Sequence, residues 1–184
     1  RPYYSLAGLY LRDQKAEKAV EQFNALLAVN PKQAGPHMLI GVIYDSQRRF
    51  DLSEKHYRAA LDIDPQFAPA ANNLAYILAE QNRDLNEALR FAQVAKEALP
   101  DDPSVMDTLG WVYYKRGLHD SAIGEFKASL AKNPNNPAVA YHLGLAYLKK
   151  GETDRARAEL ERALKINPNF DGAAEARKAL EEIK

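Results

Sequence analysis

Four histidines are the first candidates for chemistry in this sequence, because imidazole both binds metals and transfers protons near neutral pH. They are His37, His56, His119 and His142. None belongs to an H-E-x-x-H motif, whose spacing places two imidazoles on one helix face toward a zinc ion. The histidine spacing therefore predicts no metal site, and the sequence offers no cofactor motif in its place.

Catalytic motifs of other kinds are also missing from the sequence. There is no G-x-x-x-x-G-K-[ST] phosphate loop, no G-x-G-x-x-G dinucleotide turn and no G-x-S-x-G nucleophile turn. Carboxylates are abundant, but they stand beside basic residues, as in Asp154, Arg155, Arg157 and Glu161, a pattern typical of a solvated helix face. Since no nucleophile converges with an acid or a base, we expect a protein that is not an enzyme.

The charge balance restricts the kinds of partner. The chain has 184 residues, with 25 lysines and arginines against 25 aspartates and glutamates. A nucleic-acid-binding protein usually carries an excess of basic residues, so we expect no nucleic-acid partner. No apolar run approaches the roughly 18 residues of a membrane span, and the absence of cysteine excludes disulfides. Because the chain begins with Arg1-Pro2, we expect that N-terminal sequence has been removed.

A regular repeat organises the whole chain. Pro31, Pro65, Pro100, Pro134 and Pro168 are separated by 34, 35, 34 and 34 residues. Before each proline, small and large apolar residues recur at the three- and four-residue spacing of amphipathic helices. The sequence therefore predicts an all-α protein made of about five helical hairpins.

The stretch 102–134 shows the repeat most clearly. Leu109-Gly110 and Tyr113 lie on one stripe of a first helix, and Ala122 and Phe126 lie on one stripe of a second. This pattern resembles the tetratricopeptide repeat, in which Leu-Gly-x2-Tyr, Ala-x3-Phe and a closing proline recur over 34 residues. The opening motif of the other four units reads Tyr3, Leu6, Ala7, Tyr10; His37, Ile40, Gly41, Tyr44; Ala71, Leu74, Ala75, Leu78; and Ala140, Leu143, Gly144, Tyr147.

The resemblance implies a single array over residues 1–184, folded as a right-handed α-solenoid. Its helix-turn-helix units are expected at about 1–33, 34–67, 68–102, 103–136 and 137–170, followed by a capping helix over 171–183. Glycine inside a first helix costs roughly 1 kcal/mol relative to alanine. We therefore expect Gly41, Gly110 and Gly144 to be sites where the second helix packs against the first.

Several helix starts can be predicted from their capping residues. Asp102 and Asn136 each precede a proline that suits the first helical position, so both are expected N-caps. Asp51-x-x-Glu54 and Asp84-x-x-Glu87 have the form of capping boxes.

The resemblance also implies a concave groove lined by first helices, which would bind a protein or a peptide. The family's groove positions fall on a mixture of aromatic, amide and acidic residues, a blend that suits a peptide with little sequence restriction. The candidate partner-binding residues are Tyr4, Met38, Asn72, Asn73, Tyr76, Asp107, Thr108, Trp111, Tyr114, Tyr141, His142 and Leu145. Trp111 has two interpretations: it contacts the partner, or it packs on the helix of the next unit.

We thus expect a non-catalytic protein–protein interaction scaffold. Two alternatives stay open: a structural scaffold that self-assembles into homo-oligomers, and the targeting region of a larger enzyme or export complex. The stretches 72–80 and 107–117 resemble arrays in bacterial envelope proteins associated with exopolysaccharide production and export. The expected location is accordingly bacterial, in the cytoplasm or in the periplasm and cell envelope.

Overall fold

The computed structural model describes residues 15–183, which fold into ten α-helices and no strand. The helices are α1 (Ala16–Val29), α2 (Ala34–Ser46), α3 (Phe50–Ile63), α4 (Ala68–Glu80), α5 (Leu85–Ala98), α6 (Pro103–Lys115), α7 (His119–Lys132), α8 (Pro137–Lys149), α9 (Thr153–Ile166) and α10 (Ala173–Glu182). No helix in this part of the chain is long and apolar enough to cross a membrane. The expected first helix, over 2–12, lies outside the described residues.

Each helix packs mainly on its neighbours in sequence. The pairs α2/α3, α4/α5, α6/α7 and α8/α9 form the hairpins, and each hairpin packs on the next. The first helices α4, α6 and α8 also contact one another, so they form a continuous layer. Helix α10 covers α9 at the C-terminal end. The expected all-α solenoid is confirmed.

Two glycines show why the hairpins pack so closely. A Cβ atom placed on Gly41 of α2 would lie 2.5 Å from Cε1 of Tyr57 in α3. One placed on Gly110 of α6 would lie 2.7 Å from Cε1 of Phe126 in α7. Both rings are fully buried. The predicted close approach of the two helices within a unit is therefore confirmed, and any larger residue would overpack the core.

The helix caps confirm most of the expected starts and correct one of them. Asp102 accepts hydrogen bonds from the amides of Ser104 and Val105, and Asn136 caps α8 in the same way. Asp84 accepts from the amide of Glu87. The prediction that Asp51 is an N-cap is wrong, because α3 already begins at Phe50 and places Asp51 inside its first turn.

Candidate functional site

A cavity of about 660 Å³ lies among α2, α4, α6, α8 and the segment 171–175. We call it the central cavity. Its walls therefore come from four hairpins and from the C-terminal end of the array, and residues as far apart in sequence as Val42 and Glu175 line it. Its lining residues are Val42, Asp45, Ser46, Arg48, Phe50, Tyr76, Ile77, Glu80, Gln81, Trp111, Tyr141, His142, Asp171, Gly172 and Glu175.

Stacked rings form one wall of the cavity. The ring of Trp111 lies between that of Tyr114, at a centroid distance of 5.0 Å, and that of His142, at 4.2 Å. The indole Nε1 of Trp111 donates a hydrogen bond of 2.8 Å to Oε2 of Glu80. Nδ1 of His142 lies 2.8 Å from Oδ1 of Asp107 and donates to this carboxylate. Each ring is thus held in place by a neighbour or a hydrogen bond.

Three of the candidate residues are buried in this packing. Thr108, Trp111 and His142 retain only 4%, 6% and 6% of their accessible surface. Both faces of the indole are covered, so Trp111 packs on the next unit, which is the second of its two interpretations. A residue this buried cannot supply a large contact area to a partner. Trp111 and His142 nevertheless belong to the cavity lining.

Two tyrosines are the more accessible aromatic groups of the cavity. Tyr76 and Tyr141 are both partly exposed, and both line it. Burial raises the pKa of the Tyr76 phenol, and the carboxylates of Glu80, Asp107, Asp171 and Asp45 raise it further. Burial and the carboxylate of Glu175 likewise raise the pKa of Tyr141 to about 12. Both phenols therefore stay neutral at physiological pH and can donate hydrogen bonds.

The cavity is acidic although the chain as a whole is neutral. Asp45, Glu80, Asp171 and Glu175 line it, while Arg48 is the single basic residue in the lining. The carboxylate of Asp45 is partly buried, which raises its pKa, and no described residue forms an ion pair with it. A half-buried carboxylate with no counter-ion among the described residues is stabilised when a cation joins it.

Arg48 connects the two ends of the cavity. Its Nη2 donates to Oδ2 of Asp171 at 3.4 Å, across 123 residues of sequence. Arg48 has a positive φ of 57°, at the turn position where later units place Gly117 and Gly151. This conformation is unfavourable for a residue with a side chain. The strain is confined to the turn, and the Arg48 side chain contributes to the cavity wall.

The structure places the other candidate residues within 15–183 outside the lining. Met38 and Leu145 are partly buried and pack on the core. Nδ2 of Asn72 donates to Oδ1 of Asn73, and Nδ2 of Asn73 donates to the Tyr57 hydroxyl at 3.4 Å. The oxygen of Asn72 is buried and has no partner within the described residues. Asp107 and Tyr114 support the stacked rings, and Tyr4 lies outside residues 15–183.

Sequence reasoning missed the part of the cavity that comes from turns and from the C-terminal end. Arg48, Phe50, Asp171 and Glu175 line it but occupy none of the groove positions that the repeat implies. Nothing in the spacing of the repeat could have identified Asp171 and Glu175. Their proximity to Arg48 depends on how far the array curves over several units.

The arrangement suits binding. In the described ranges, no group of three or more histidine, cysteine or acidic residues could hold a metal ion. The one imidazole in the cavity wall is buried between rings and engaged with Asp107. The groups that reach the open space are phenols, carboxylates and a guanidinium, which can hold a guest by contact and hydrogen bonding.

Comparison with known proteins identifies the family. The model described as tetratricopeptide repeat matches residues 4–68, 47–103 and 108–174. The chain belongs to the tetratricopeptide repeat family. Proteins of this family are interaction scaffolds, so the chain is a protein–protein interaction scaffold, and no enzyme family is indicated.

Two curated tetratricopeptide repeat relatives come from Pseudomonas aeruginosa. A TPR repeat-containing protein is 35% identical over 74 residues, which are 39% of this chain and 12% of the relative. The type IV pilus assembly protein PilF is 29% identical over 135 residues, which are 72% of this chain and 54% of that protein. The chain thus spans about an eighth of the length of the first relative and about half of the length of PilF.

Solved tetratricopeptide repeat structures share the fold. PilW, a type IV pilus biogenesis factor, superposes with a TM-score of 0.80 at 21% identity, covering 98% of this chain and 88% of PilW. P. aeruginosa PilF superposes with a TM-score of 0.73 at 25% identity, covering 99% of this chain and 87% of PilF. YrrB, a TPR protein with an unusual peptide-binding site, superposes with a TM-score of 0.71 at 22% identity, covering 96% of this chain and 91% of YrrB.

Proposed function

We propose that this tetratricopeptide repeat array binds an extended segment of another protein in the central cavity. One observation carries the proposal: four hairpins and the C-terminal segment converge on a cavity of about 660 Å³ with mixed polar and aromatic walls. This volume lies within the range of sites that bury most of a ligand. Rigid helices provide most of the walls, so little ordering is required when a guest enters.

The side chains of the cavity suit a peptide guest. Tyr76 and Tyr141 offer aromatic area with only two side-chain torsions each, so they lose little entropy on binding. Their neutral hydroxyls can donate to the carbonyl groups of a peptide backbone. Val42 adds an exposed apolar surface in the same lining. Together these groups supply both contact area and hydrogen bonds.

A pair of valine substitutions tests the proposal. Val42→Trp places a large ring in the central cavity, whereas Val29→Trp places the same ring on an exposed residue at the end of α1, outside the lining. Peptides are first selected from a displayed library of random 12-residue sequences against the intact chain. We expect Val42→Trp to weaken binding of the selected peptides at least tenfold in fluorescence anisotropy.

The Val29→Trp control should bind these peptides as tightly as the parent chain. Equal affinities for the parent and Val42→Trp would contradict binding in the cavity, as would a library that yields no binder. Far-ultraviolet circular dichroism of each variant verifies that the helices are retained.

The relatives favour a second, more specific proposal: the partner segment belongs to the type IV pilus assembly apparatus. The PilF relative at 29% identity and its solved structure at 25% support it. Deletion of the encoding gene should then abolish surface pili in the native bacterium. The Val29→Trp gene should restore them and the Val42→Trp gene should not. Normal piliation after deletion would contradict this partner.

Self-assembly and a location in the cell envelope are each tested by a separate experiment. Light scattering over a range of protein concentrations distinguishes a self-assembling scaffold from a monomer. A location in the bacterial cell envelope is a further proposal, and fractionation of the native cells tests it.

A further inference from the structure

Charge distinguishes the central cavity from the rest of the molecule. Four carboxylates line it, from α2, α4 and the segment 171–175, and they face a single guanidinium. Three of these carboxylates, together with that of Asp107, raise the pKa of the Tyr76 phenol, so the negative charges converge on one place. Glu80, Asp171 and Glu175 are exposed and Asp45 is half-buried, so water screens the charge of Asp45 least among the four.

The state of each carboxylate shows which ones are available. Glu80 accepts from the Trp111 indole, and Asp171 accepts from Arg48. Asp45 and Glu175 form no ion pair or hydrogen bond through their side chains with any described residue. Two carboxylates without a partner among residues 15–183 thus line the cavity, one from α2 and one from α10.

The walls favour an organic cation over a metal ion. No group of three ligating residues within residues 15–183 could hold a metal. Tyrosine rings, by contrast, attract ammonium and guanidinium groups through their faces. Arg48 already places one such group in the lining, where it forms an exposed pair with Asp171.

We propose that the central cavity selects partner segments carrying a lysine or arginine side chain, an inference that rests on the proposed function. The cationic end of that side chain lies beside Asp45 and Glu175, and its alkyl stem packs on Tyr76 and Tyr141. Arg48, which pairs with Asp171, places a like charge in the same lining and repels the guest, so it limits the affinity. An acidic segment would meet repulsion and is excluded.

Three predictions test the selectivity with peptides chosen from the random library, and the two substitutions among them should change the affinity in opposite directions. First, the selected sequences should be enriched in lysine and arginine. Second, Asp45→Asn should weaken their binding at least fivefold, while Asp62→Asn, an exposed aspartate outside the lining, should leave it unchanged. Third, Arg48→Ala should strengthen binding two- to fivefold, while Lys127→Ala, an exposed lysine on α7, should have no effect.

The single tryptophan gives an independent readout. Its indole N–H lies in the cavity lining and is bonded to Glu80, so a cation bound in the cavity should shift the indole proton resonance during titration with a selected peptide. Replacing lysine and arginine by glutamine in that peptide should remove both the shift and most of the affinity.

The outcomes separate the two proposals. The selected peptides could be neutral or acidic, losing affinity in Val42→Trp and keeping it in Asp45→Asn. That result would overturn the cationic selectivity but would still support binding in the cavity. Peptides that bind Val42→Trp as well as the parent would overturn both.

Discussion

Gly110 lies so close to Phe126 that a Cβ atom on the glycine would come within 2.7 Å of Cε1 of the ring. Phe126 is completely buried, so its ring has no free space to move into. The two residues fix the distance between α6 and α7. The same relationship between Gly41 and Tyr57 fixes the distance between α2 and α3.

Gly110→Ala should therefore destabilise the protein by about 1 to 3 kcal/mol, because overpacking exceeds the gain in helix propensity. Gly124 is the matched control: it lies in the interior of α7, is exposed, and a Cβ there would meet no atom within 4 Å. Gly124→Ala should stabilise by about 0.5 to 1 kcal/mol. Urea unfolding measures the change in unfolding free energy for each variant. Changes of the same sign in Gly110→Ala and Gly124→Ala would contradict the packing relationship.

Trp111→Ala should act on the stability of the array. The indole is buried between Tyr114 and His142, so its removal should cost about 3 to 5 kcal/mol of unfolding free energy. Thermal unfolding followed by circular dichroism measures the loss. Trp111→Phe keeps a ring in the stack and should cost markedly less. An unchanged melting temperature in Trp111→Ala would show that the stack contributes little.

Two histidines make the hairpin α2/α3 sensitive to acid. Nδ1 of His37 lies 3.1 Å from Nδ1 of His56, a contact that requires at least one of the rings to be neutral. Burial lowers the pKa of both imidazoles, and for His56 the charges of His37 and Lys55 contribute to a pKa of about 4. Below pH 6.5 the unfolded chain therefore binds more protons than the folded protein.

Stability should consequently be full above about pH 7.5 and decrease as the pH falls through 6.5 toward 4. Because both imidazoles are only partly buried, water screens the effect, and we expect the unfolding free energy at pH 5 to be at most about 1 kcal/mol lower than at pH 7.5. His56→Gln removes one of the titrating groups and should reduce this difference. Urea unfolding at both pH values measures it, and an identical loss in the variant would assign the acid sensitivity to other groups.

The caps offer a comparison between two aspartates near helix starts. Asp102 accepts two amide hydrogen bonds at the start of α6, whereas Asp51 lies in the first turn of α3 and forms no cap. Asp102→Ala should cost about 1 kcal/mol. Asp51→Ala should cost less than about 0.5 kcal/mol, through the helix dipole alone. Equal losses in chemical unfolding would mean that Asp51 caps α3 in solution.

The residues of a single repeat were sufficient to predict most features that depend on short-range geometry. Helical periodicity predicted the hairpins, and the excess of small residues opposite large ones predicted the contacts of Gly41 and Gly110. Asp102 and Asn136 could be identified as caps because a proline follows each of them directly. Asp51 could not be placed correctly, because the start of α3 depends on the turn at Arg48 and not on the aspartate.

The sequence by itself thus determined the family, the helical hairpins found within residues 15–183 and the packing within each hairpin, since these follow from side-chain size and local propensity. Only the tertiary structure decided that Trp111 is covered by His142 and that Arg48 meets Asp171. Both relationships depend on the small rotation between neighbouring units, which accumulates along the array. That rotation is set by packing between hairpins, so no local pattern of residues encodes where the two ends of the central cavity meet.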